Sequence, residues 1–235
     1  CTGSLCYEHP RPGRFVFAAC LDDEFALLTG NQGVLTDASG GWERELETAA
    51  DLRSAACLGG GHALVAGQGG YLAERDPDGT WEELDVGAPS GDSLVVRGAG
   101  DEVWLSSGAF LRRRAADGSW AEVVPPGSAT RIVVAPDGSE VWAIAGALAY
   151  RWEGDGWGAA SAPLVFVSGA TFEAATITDR LEVGDSEGTL HRLAADGSWS
   201  VSSRPCPGIS VHAMAGASDG QLVVDGGRGQ VARRG

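Results

Sequence analysis

Short apolar runs that end in glycine turns recur along the whole chain, among them FALLTGNQG, ALVAGQGG and LVVDGGRG. The first turn glycines of the six runs are Gly30, Gly67, Gly108, Gly146, Gly184 and Gly226, with gaps of 37, 41, 38, 38 and 42 residues. Short apolar runs bounded by glycine predict antiparallel strands and very little helix. Self-similarity near 40 residues predicts an array of equivalent structural units.

A second periodic feature is an acidic, glycine-containing turn that is followed by tryptophan, as in AADGSW, which occurs twice. The five copies end at Trp42, Trp81, Trp120, Trp157 and Trp199, at intervals of 39, 39, 37 and 42 residues. A large aromatic side chain at one register of every unit favours a packing role, in which it covers the gap between neighbouring units. The alternative is a stacking platform for sugars or bases.

One unit, residues 50–89, contains four strand-like runs, LRSAACL, HALVAG, YLAERD and TWEELDV, separated by glycine or Pro-Asp-Gly turns. Four short strands in about 40 residues, repeated, are typical of a β-propeller blade. The six glycine turns and five tryptophan turns leave the last unit without a fourth strand before Gly235. An alignment of Gly13 with Gly208 places Ser4 at the position of Trp199, so residues 4–9 are predicted to supply that strand.

The predicted fold is therefore all-β: a six-bladed β-propeller of four-stranded antiparallel blades, with the ring closed by the N-terminal strand. Residues 4–235 are expected to form this single domain. Closure of the ring removes the exposed sheet edges that would otherwise promote aggregation.

The repeat resembles the propellers of the photosystem II stability/assembly factor type and also the bacterial neuraminidase repeat. The matching stretches are TGNQGVLTDASGGW (29–42), AGQGGYLAERDPDGTW (66–81) and GDSEGTLHRLAADGSW (184–199). The resemblance extends over the whole chain at the level of the repeat. It implies a propeller fold far more firmly than it implies a function.

The sequence offers little catalytic chemistry. The formal net charge is −15, and all 17 basic residues are arginine, so no nucleic-acid partner is expected. The histidines His9, His62, His191 and His212 show no metal-ligand spacing. The basic run Arg112–Arg114 is interpreted as a solvated strand rather than a phosphate site, because its side chains alternate between faces. No catalytic residue, metal or cofactor is predicted, and the chain is expected not to be an enzyme.

The five cysteines are Cys1, Cys6, Cys20, Cys57 and Cys206. The N-terminal CTGS resembles the mature end of a bacterial lipoprotein, which predicts lipid attachment at Cys1 and makes residues 1–3 the tether. Four cysteines remain, an even number that suits an oxidising compartment. AACL recurs at 18–21 and 55–58, which favours Cys20 with Cys57 and leaves Cys6 with Cys206. Four cysteines allow three connectivities, and the sequence does not choose among them.

These observations predict a lipid-anchored protein of the bacterial cell envelope, in the periplasm or on the outer surface. The expected function is a protein-interaction or scaffold module, an accessory subunit that docks on a membrane protein complex. A tether of three residues would reach only about 10 Å and hold the propeller against the membrane. The alternative is a glycan-binding lectin or glycan-active enzyme that uses the central channel.

Overall fold

The structure is a computed structural model of the 235-residue chain. It describes residues 6–8, 18–21, 26–37, 43–128, 130–166, 172–177, 179–203, 211–216, 222–226 and 230–234. The regular structure in these ranges consists of β-strands, which confirms the predicted all-β class. No helix in the same ranges is long and apolar enough to span a membrane.

The strands are named in chain order. The first eleven are β1 (Cys6–Glu8), β2 (Ala18–Leu21), β3 (Ala26–Asp37), β4 (Glu43–Gly59), β5 (His62–Gly67), β6 (Leu72–Arg75), β7 (Trp81–Glu83), β8 (Val95–Ala99), β9 (Glu102–Ser107), β10 (Phe110–Arg114) and β11 (Trp120–Glu122). The remaining ten are β12 (Arg131–Val134), β13 (Val141–Ala145), β14 (Leu148–Arg151), β15 (Phe172–Ile177), β16 (Leu181–Asp185), β17 (Leu190–Leu193), β18 (Trp199–Ser203), β19 (Val211–Gly216), β20 (Leu222–Gly226) and β21 (Gln230–Arg234).

These strands form five sheets, in which most neighbours along the chain are also neighbours in space. The strand orders are β2-β3-β4-β5-β6-β7, β11-β10-β9-β8, β12-β13-β14, β15-β16-β17-β18 and β1-β21-β20-β19. Three of the sheets have the predicted four strands. The chain divides into two compact units, Pro12–Ile132 and Val133–Gly235 together with Cys1–Arg11. Each unit is described by itself below.

The N-terminal strand pairs with the last strand of the chain. β1 lies antiparallel to β21, with Cys6 opposite Ala232, Tyr7 opposite Val231 and Glu8 opposite Gln230. It therefore becomes the fourth strand of the sheet that β19, β20 and β21 begin. The predicted contribution of the N-terminus to the last sheet is present, within the predicted residues 4–9.

The first predicted blade does not form a separate four-stranded sheet. The turn expected at Gly30 is absent, because β3 runs without interruption from Ala26 to Asp37. Register shifts on either side of Gly33 bend the pairing of β3 with β4 instead. Gly33 has a φ of 145°, and a Cβ there would meet the carbonyl oxygen of Leu46 at 1.9 Å. Glycine thus permits a close strand approach at this point rather than a hairpin.

The 17-residue strand β4 joins the first two predicted units into one six-stranded sheet. Its first half pairs with β3 and is mostly exposed or half-buried, as expected of an outer strand. Its second half pairs with β5 and has alternating burial, with Leu52 and Ser54 fully buried. One continuous strand therefore serves as the last strand of one repeat and the first strand of the next.

The third sheet has three strands where four were predicted. The segment after β14 lies along its edge without forming a strand, and the only ladder pairing there is a bridge between Trp152 and Trp157. The backbone N–H groups of Gly158, Ser161 and Leu164 donate to carbonyls of residues 147–151. Glycine and proline in this segment disfavour regular strand geometry, so the backbone groups at the edge of the sheet are paired by irregular hydrogen bonds.

The repeated Asp-Gly turn has one geometry at four places. Asp117 Oδ1 accepts hydrogen bonds from the backbone N–H and the hydroxyl of Ser119, at 2.9 and 2.6 Å. Gly118 between them has a φ of 83°, which glycine adopts without strain. The same contacts recur at Asp78, Asp137 and Asp196.

In each of these turns, the serine or threonine two positions after the aspartate donates the hydrogen bonds. These hydrogen bonds lower the pKa of each aspartate. AADGSW is therefore a side-chain-capped hairpin that leads into the outer strand.

Each compact unit has its own apolar core. In Pro12–Ile132, Leu64, Leu72 and Leu105 belong to a cluster that fills the space between the second repeat and the sheet that follows it. In the other unit, Val183 and Leu193 belong to a second cluster. Strands β5 and β16 are buried along most of their length, and the burial of β5 accounts for its nearly continuous apolar sequence.

Candidate functional site

The cysteine prediction is confirmed for one pair. Cys20 on β2 and Cys57 on β4 form a disulfide, with 5.6 Å between their Cα atoms and 37 residues between them in sequence. Cys6 lies in β1, but its side chain and the whole of Cys206 fall outside the described part, so their pairing stays a prediction. Cys1 also lies outside it.

The repeat tryptophans pack between neighbouring sheets or segments. The indole N–H of Trp81 donates to Glu45 Oε2 at 3.4 Å, and that of Trp199 donates to the carbonyl of Ala162 at 2.9 Å. Their partners come 36 and 37 residues earlier, about one repeat back. Trp120 packs against the core, and Trp157 makes an edge-to-face contact with Trp152. All four are half-buried, and Trp42 lies outside the described residues.

The two histidines whose side chains are described have different environments. His191 is buried, and its Nε2 lies 2.9 Å from Asp185 Oδ2. Asp185 also accepts hydrogen bonds from the backbone N–H groups of Glu187 and Thr189. Burial raises the pKa of Asp185, but these hydrogen bonds outweigh it and the net shift is downward. Because both side chains are enclosed, this pair holds the hairpin together rather than facing a substrate. His62 is exposed over 43% of its side chain.

The arginines of the run 112–114 alternate as predicted, but all three are half-buried, so the strand is not the solvated one that was predicted. Arg113 pairs with Glu102 of its own sheet at 2.8 Å, whereas Arg114 pairs with Glu74 of the preceding sheet, also at 2.8 Å. Arg112 lies over the ring of Phe110. Alternation along β10 thus sends neighbouring guanidinium groups to different partners, and the run forms no single cationic patch.

A different set of arginines lies on the first strands of successive repeats. Arg53, Arg97 and Arg131 lie on β4, β8 and β12, the strands that begin three successive repeats, and all three are exposed. The first two strands touch directly, since the backbone N–H of Val96 donates to Ser54 Oγ at 2.8 Å. Ser54 follows Arg53 in the chain, and Val96 precedes Arg97. We call Arg53, Arg97 and Arg131 the inner arginines.

Two of the inner arginines, Arg97 and Arg131, interact electrostatically. Arg97 is solvent-exposed yet densely surrounded by protein, and this desolvation lowers its pKa, as does the positive charge of Arg131. Guanidinium groups stay protonated in proteins at neutral pH. Arg97 donates to the carbonyl of Val96, and Arg53 pairs with Asp51 at 3.2 Å. Arg97 and Arg131 thus place two like charges within interaction range in a protein of net charge −15, an arrangement suited to an anionic group.

Sequence reasoning missed this set, although the sequence carries a signal for it. Each inner arginine interrupts an otherwise apolar or small-residue first strand, in DLRSAACL, SLVVRGAG and ATRIVVA. In the part of the chain that the structure describes, no group of three or more His, Cys, Asp or Glu side chains could hold a metal ion.

Comparison with known proteins shows what the fold is. No family model matches the chain, and no curated protein matches it. Solved β-propellers do match: a catalytically inactive virginiamycin B lyase from Staphylococcus aureus with quinupristin has a TM-score of 0.74 and 12% identity, over 98% of both chains. A streptogramin B lyase has a TM-score of 0.70 and 17% identity, over 94% of this chain and 80% of its own. YCF48 bound to D1 peptide has a TM-score of 0.62 and 14% identity, over 98% and 94%.

The chain is therefore a β-propeller repeat protein, as its repeat and its resemblance to assembly-factor propellers predicted. At 12–17% identity the similarity extends to the fold alone.

One prediction is wrong. The chain was expected not to be an enzyme because its sequence lacks a recognisable acid–base set. Lyases are among the proteins that share its fold over nearly the whole chain, so that exclusion does not hold. The physical reason is that propeller strands bring together residues from distant repeats, which no local motif reveals.

Proposed function

We propose that the chain closes into a six-bladed ring and that the inner arginines face its central channel. The six-stranded sheet counts as two blades that share β4. Together with one blade from each of the four other sheets, this makes six blades. The pairing of β1 with β21 supports closure, because it joins the two ends of the chain within one sheet. In a propeller the first strand of each blade lies nearest the axis, so exposed side chains on these strands border the channel.

The function that this arrangement supports best is the binding of a carboxylate-bearing segment of a partner polypeptide. The observation that carries this proposal is the set of exposed arginines on three successive first strands. Guanidinium groups bind carboxylates through two parallel hydrogen bonds, which gives both affinity and orientation. The solved complex of YCF48 with D1 peptide supports the idea that a propeller of this type can hold a peptide.

The proposed location is the bacterial cell envelope, with lipid attached at Cys1 and a membrane protein complex as the partner. The disulfide between Cys20 and Cys57 supports this location, because such bonds persist in oxidising compartments. Mass spectrometry of protein extracted from native membranes tests the lipid directly. An unmodified Cys1 would contradict the anchor while leaving the peptide proposal intact.

The peptide proposal is tested with acidic peptides and matched peptides in which each Asp or Glu is replaced by its amide. We expect fluorescence polarisation to show salt-sensitive binding of the acidic set only, because the attraction is between exposed charges. Arg97→Ala and Arg131→Ala should each weaken binding by about tenfold or more. Arg44→Ala, an exposed arginine on the first half of β4, is the matched control. Equal binding by all variants, or by both peptide sets, would refute the proposal.

A second candidate is a glycan-active enzyme or lectin that uses the same channel. It is favoured by the lyases of the same fold and by the arginines, which could also bind the carboxylates of acidic sugars. Incubation with uronic-acid polysaccharides, followed by product analysis, separates the two. Release of unsaturated or shortened products that Arg97→Ala abolishes would favour the enzyme.

A further inference from the structure

A cavity of about 340 Å³ opens at the end of the unit Pro12–Ile132 that carries the Asp-Gly turns after β6 and β10. It lies between the second repeat and the sheet that follows it. The residues that line it include Leu58, His62, Glu74, Asp101, Val103 and Arg114, together with small residues of the neighbouring turns. The inner arginines take no part in it, so it is separate from the proposed peptide site.

The polar side of the cavity is fixed by an ion pair. Arg114 Nη2 lies 2.8 Å from Glu74 Oε1 and 3.0 Å from Oε2, and the two side chains are only 23% and 17% exposed. This pair holds a donor group and an acceptor group side by side on neighbouring sheets. Each partner keeps hydrogen-bonding capacity beyond the shared contact, since a guanidinium has five N–H groups and a carboxylate about four acceptor sites.

The rim and the opposite wall complete the set of contacts. Asp101 is exposed on the turn between β8 and β9, and His62 follows the glycine turn after β4, so the rim offers an acceptor and a group that can donate or accept. Leu58 provides an apolar wall, behind which Val103 is buried. No Cβ placed at Gly59 or Gly100 would meet another atom within 4 Å, so the entrance between these turns is open.

We propose that this cavity binds one neutral sugar ring, either a free hexose or the terminal unit of a glycan. Its volume is near the lower end of the range for ligand sites, roughly 300–1,000 Å³, which suits one ring rather than a larger cofactor. An anion would meet the charges of Glu74 and Asp101, and a cation would meet that of Arg114. A sugar hydroxyl both donates and accepts, which matches the alternating groups, and the apolar wall suits the C–H face of a ring.

The test is a titration of the folded protein with glucose, galactose, mannose and N-acetylglucosamine, followed by two-dimensional NMR. We expect at least one sugar to shift the signals of residues 58–62 and 100–103, with a dissociation constant on the order of 1 mM. A glycan array then distinguishes a free sugar from a terminal unit. Asp101→Ala and Ala116→Trp should each weaken binding by about tenfold, by removing an acceptor and by filling the cavity.

Two matched variants control for general effects: Asp92→Ala, at an exposed turn away from the cavity, and Ala121→Trp, on the exposed outer strand β11. Both should bind sugar as the unmodified protein does. The proposal is overturned if none of the four sugars shifts these signals at concentrations up to about 50 mM. It is equally overturned if Asp101→Ala and Ala116→Trp bind as well as their controls, or if acetate produces the same shifts. These readouts do not depend on the inner arginines, so failure here leaves the peptide proposal standing.

Discussion

The carboxylate of Glu45 accepts two hydrogen bonds from the guanidinium of Arg75, 2.7 Å from Nε and 2.9 Å from Nη2. Arg75 also donates to the carbonyl of Gly61 at 2.8 Å and is only 6% exposed. Glu45 lies on the outer half of β4 and Arg75 at the end of β6, so the pair joins one repeat to the next. Trp81 donates to the same carboxylate.

We expect Glu45→Ala to lower the free energy of unfolding by about 2–3 kcal/mol, because it leaves a buried guanidinium without its carboxylate. The matched control is Glu47→Ala, two residues along the same strand, where the side chain is 79% exposed and its ion pair is long. That change should cost less than about 0.5 kcal/mol. Urea denaturation of the two variants checks the difference, and equal losses would contradict the assigned role of Glu45.

The same pair predicts a dependence of stability on pH. The hydrogen bond from Arg75 lowers the pKa of Glu45 below its ordinary value of 4.5, against the opposing effect of burial. The stabilisation is therefore complete above about pH 4.5 and is lost as the pH falls through the lowered pKa. Unfolding measured from pH 6 down to pH 3 should show a steeper acid loss in the unmodified protein than in Glu45→Gln. Parallel curves would show that Glu45 does not carry the effect.

The disulfide between Cys20 and Cys57 should stabilise the fold mainly through the unfolded chain. For a loop of 37 residues, the loss of chain entropy corresponds to about 4 kcal/mol. The double variant Cys20→Ser, Cys57→Ser should unfold at a correspondingly lower urea concentration than the oxidised protein.

Non-reducing mass spectrometry of the unmodified protein should also show Cys6 bonded to Cys206, and free thiols at both would refute that pairing.

The packing role of the repeat tryptophans predicts a graded loss at Trp199. Replacement by Ala removes a half-buried ring between segments and should cost about 3 kcal/mol. Replacement by Phe keeps most of the ring and loses the hydrogen bond to Ala162, so about 1 kcal/mol is expected. Val201→Ala on the same strand, 61% exposed, should be nearly neutral. If Trp199→Ala is as stable as Val201→Ala, the packing assignment fails.

The pairing of β1 with β21 predicts that the N-terminus is part of the fold. Deletion of residues 1–9 should lower the melting temperature by several degrees, because it exposes β21 as an edge. Deletion of residues 1–3 alone leaves β1 in place and should have little effect. Both deletions are made in a Cys206→Ser background, so that loss of Cys6 does not confound the comparison. Equal melting temperatures would exclude a structural role for β1.

The sequence by itself determined most of the strands and turns and their repetition, although not the pairing around Gly30 or the missing strand after β14. Hydrophobic runs and the Asp-Gly turn are local signals, and Asp117 with Ser119 shows why: the capping hydrogen bonds connect residues two positions apart. The equivalence of Cys20 and Cys57 was also visible, because repeats place matching residues at matching positions. Even the N-terminal strand could be assigned from the count of turns.

Only the tertiary structure decided the rest, because it depends on contacts between residues a repeat or more apart. The merging of two repeats along β4 follows from how the strands near Gly33 pair, which no turn signal records. The pairing of Arg114 with Glu74 spans 40 residues, and the cavity beside it is lined by residues from Leu58 to Gly118. The inner arginines are scattered in sequence, and the site proposed for them depends on how the first strands of successive repeats are arranged.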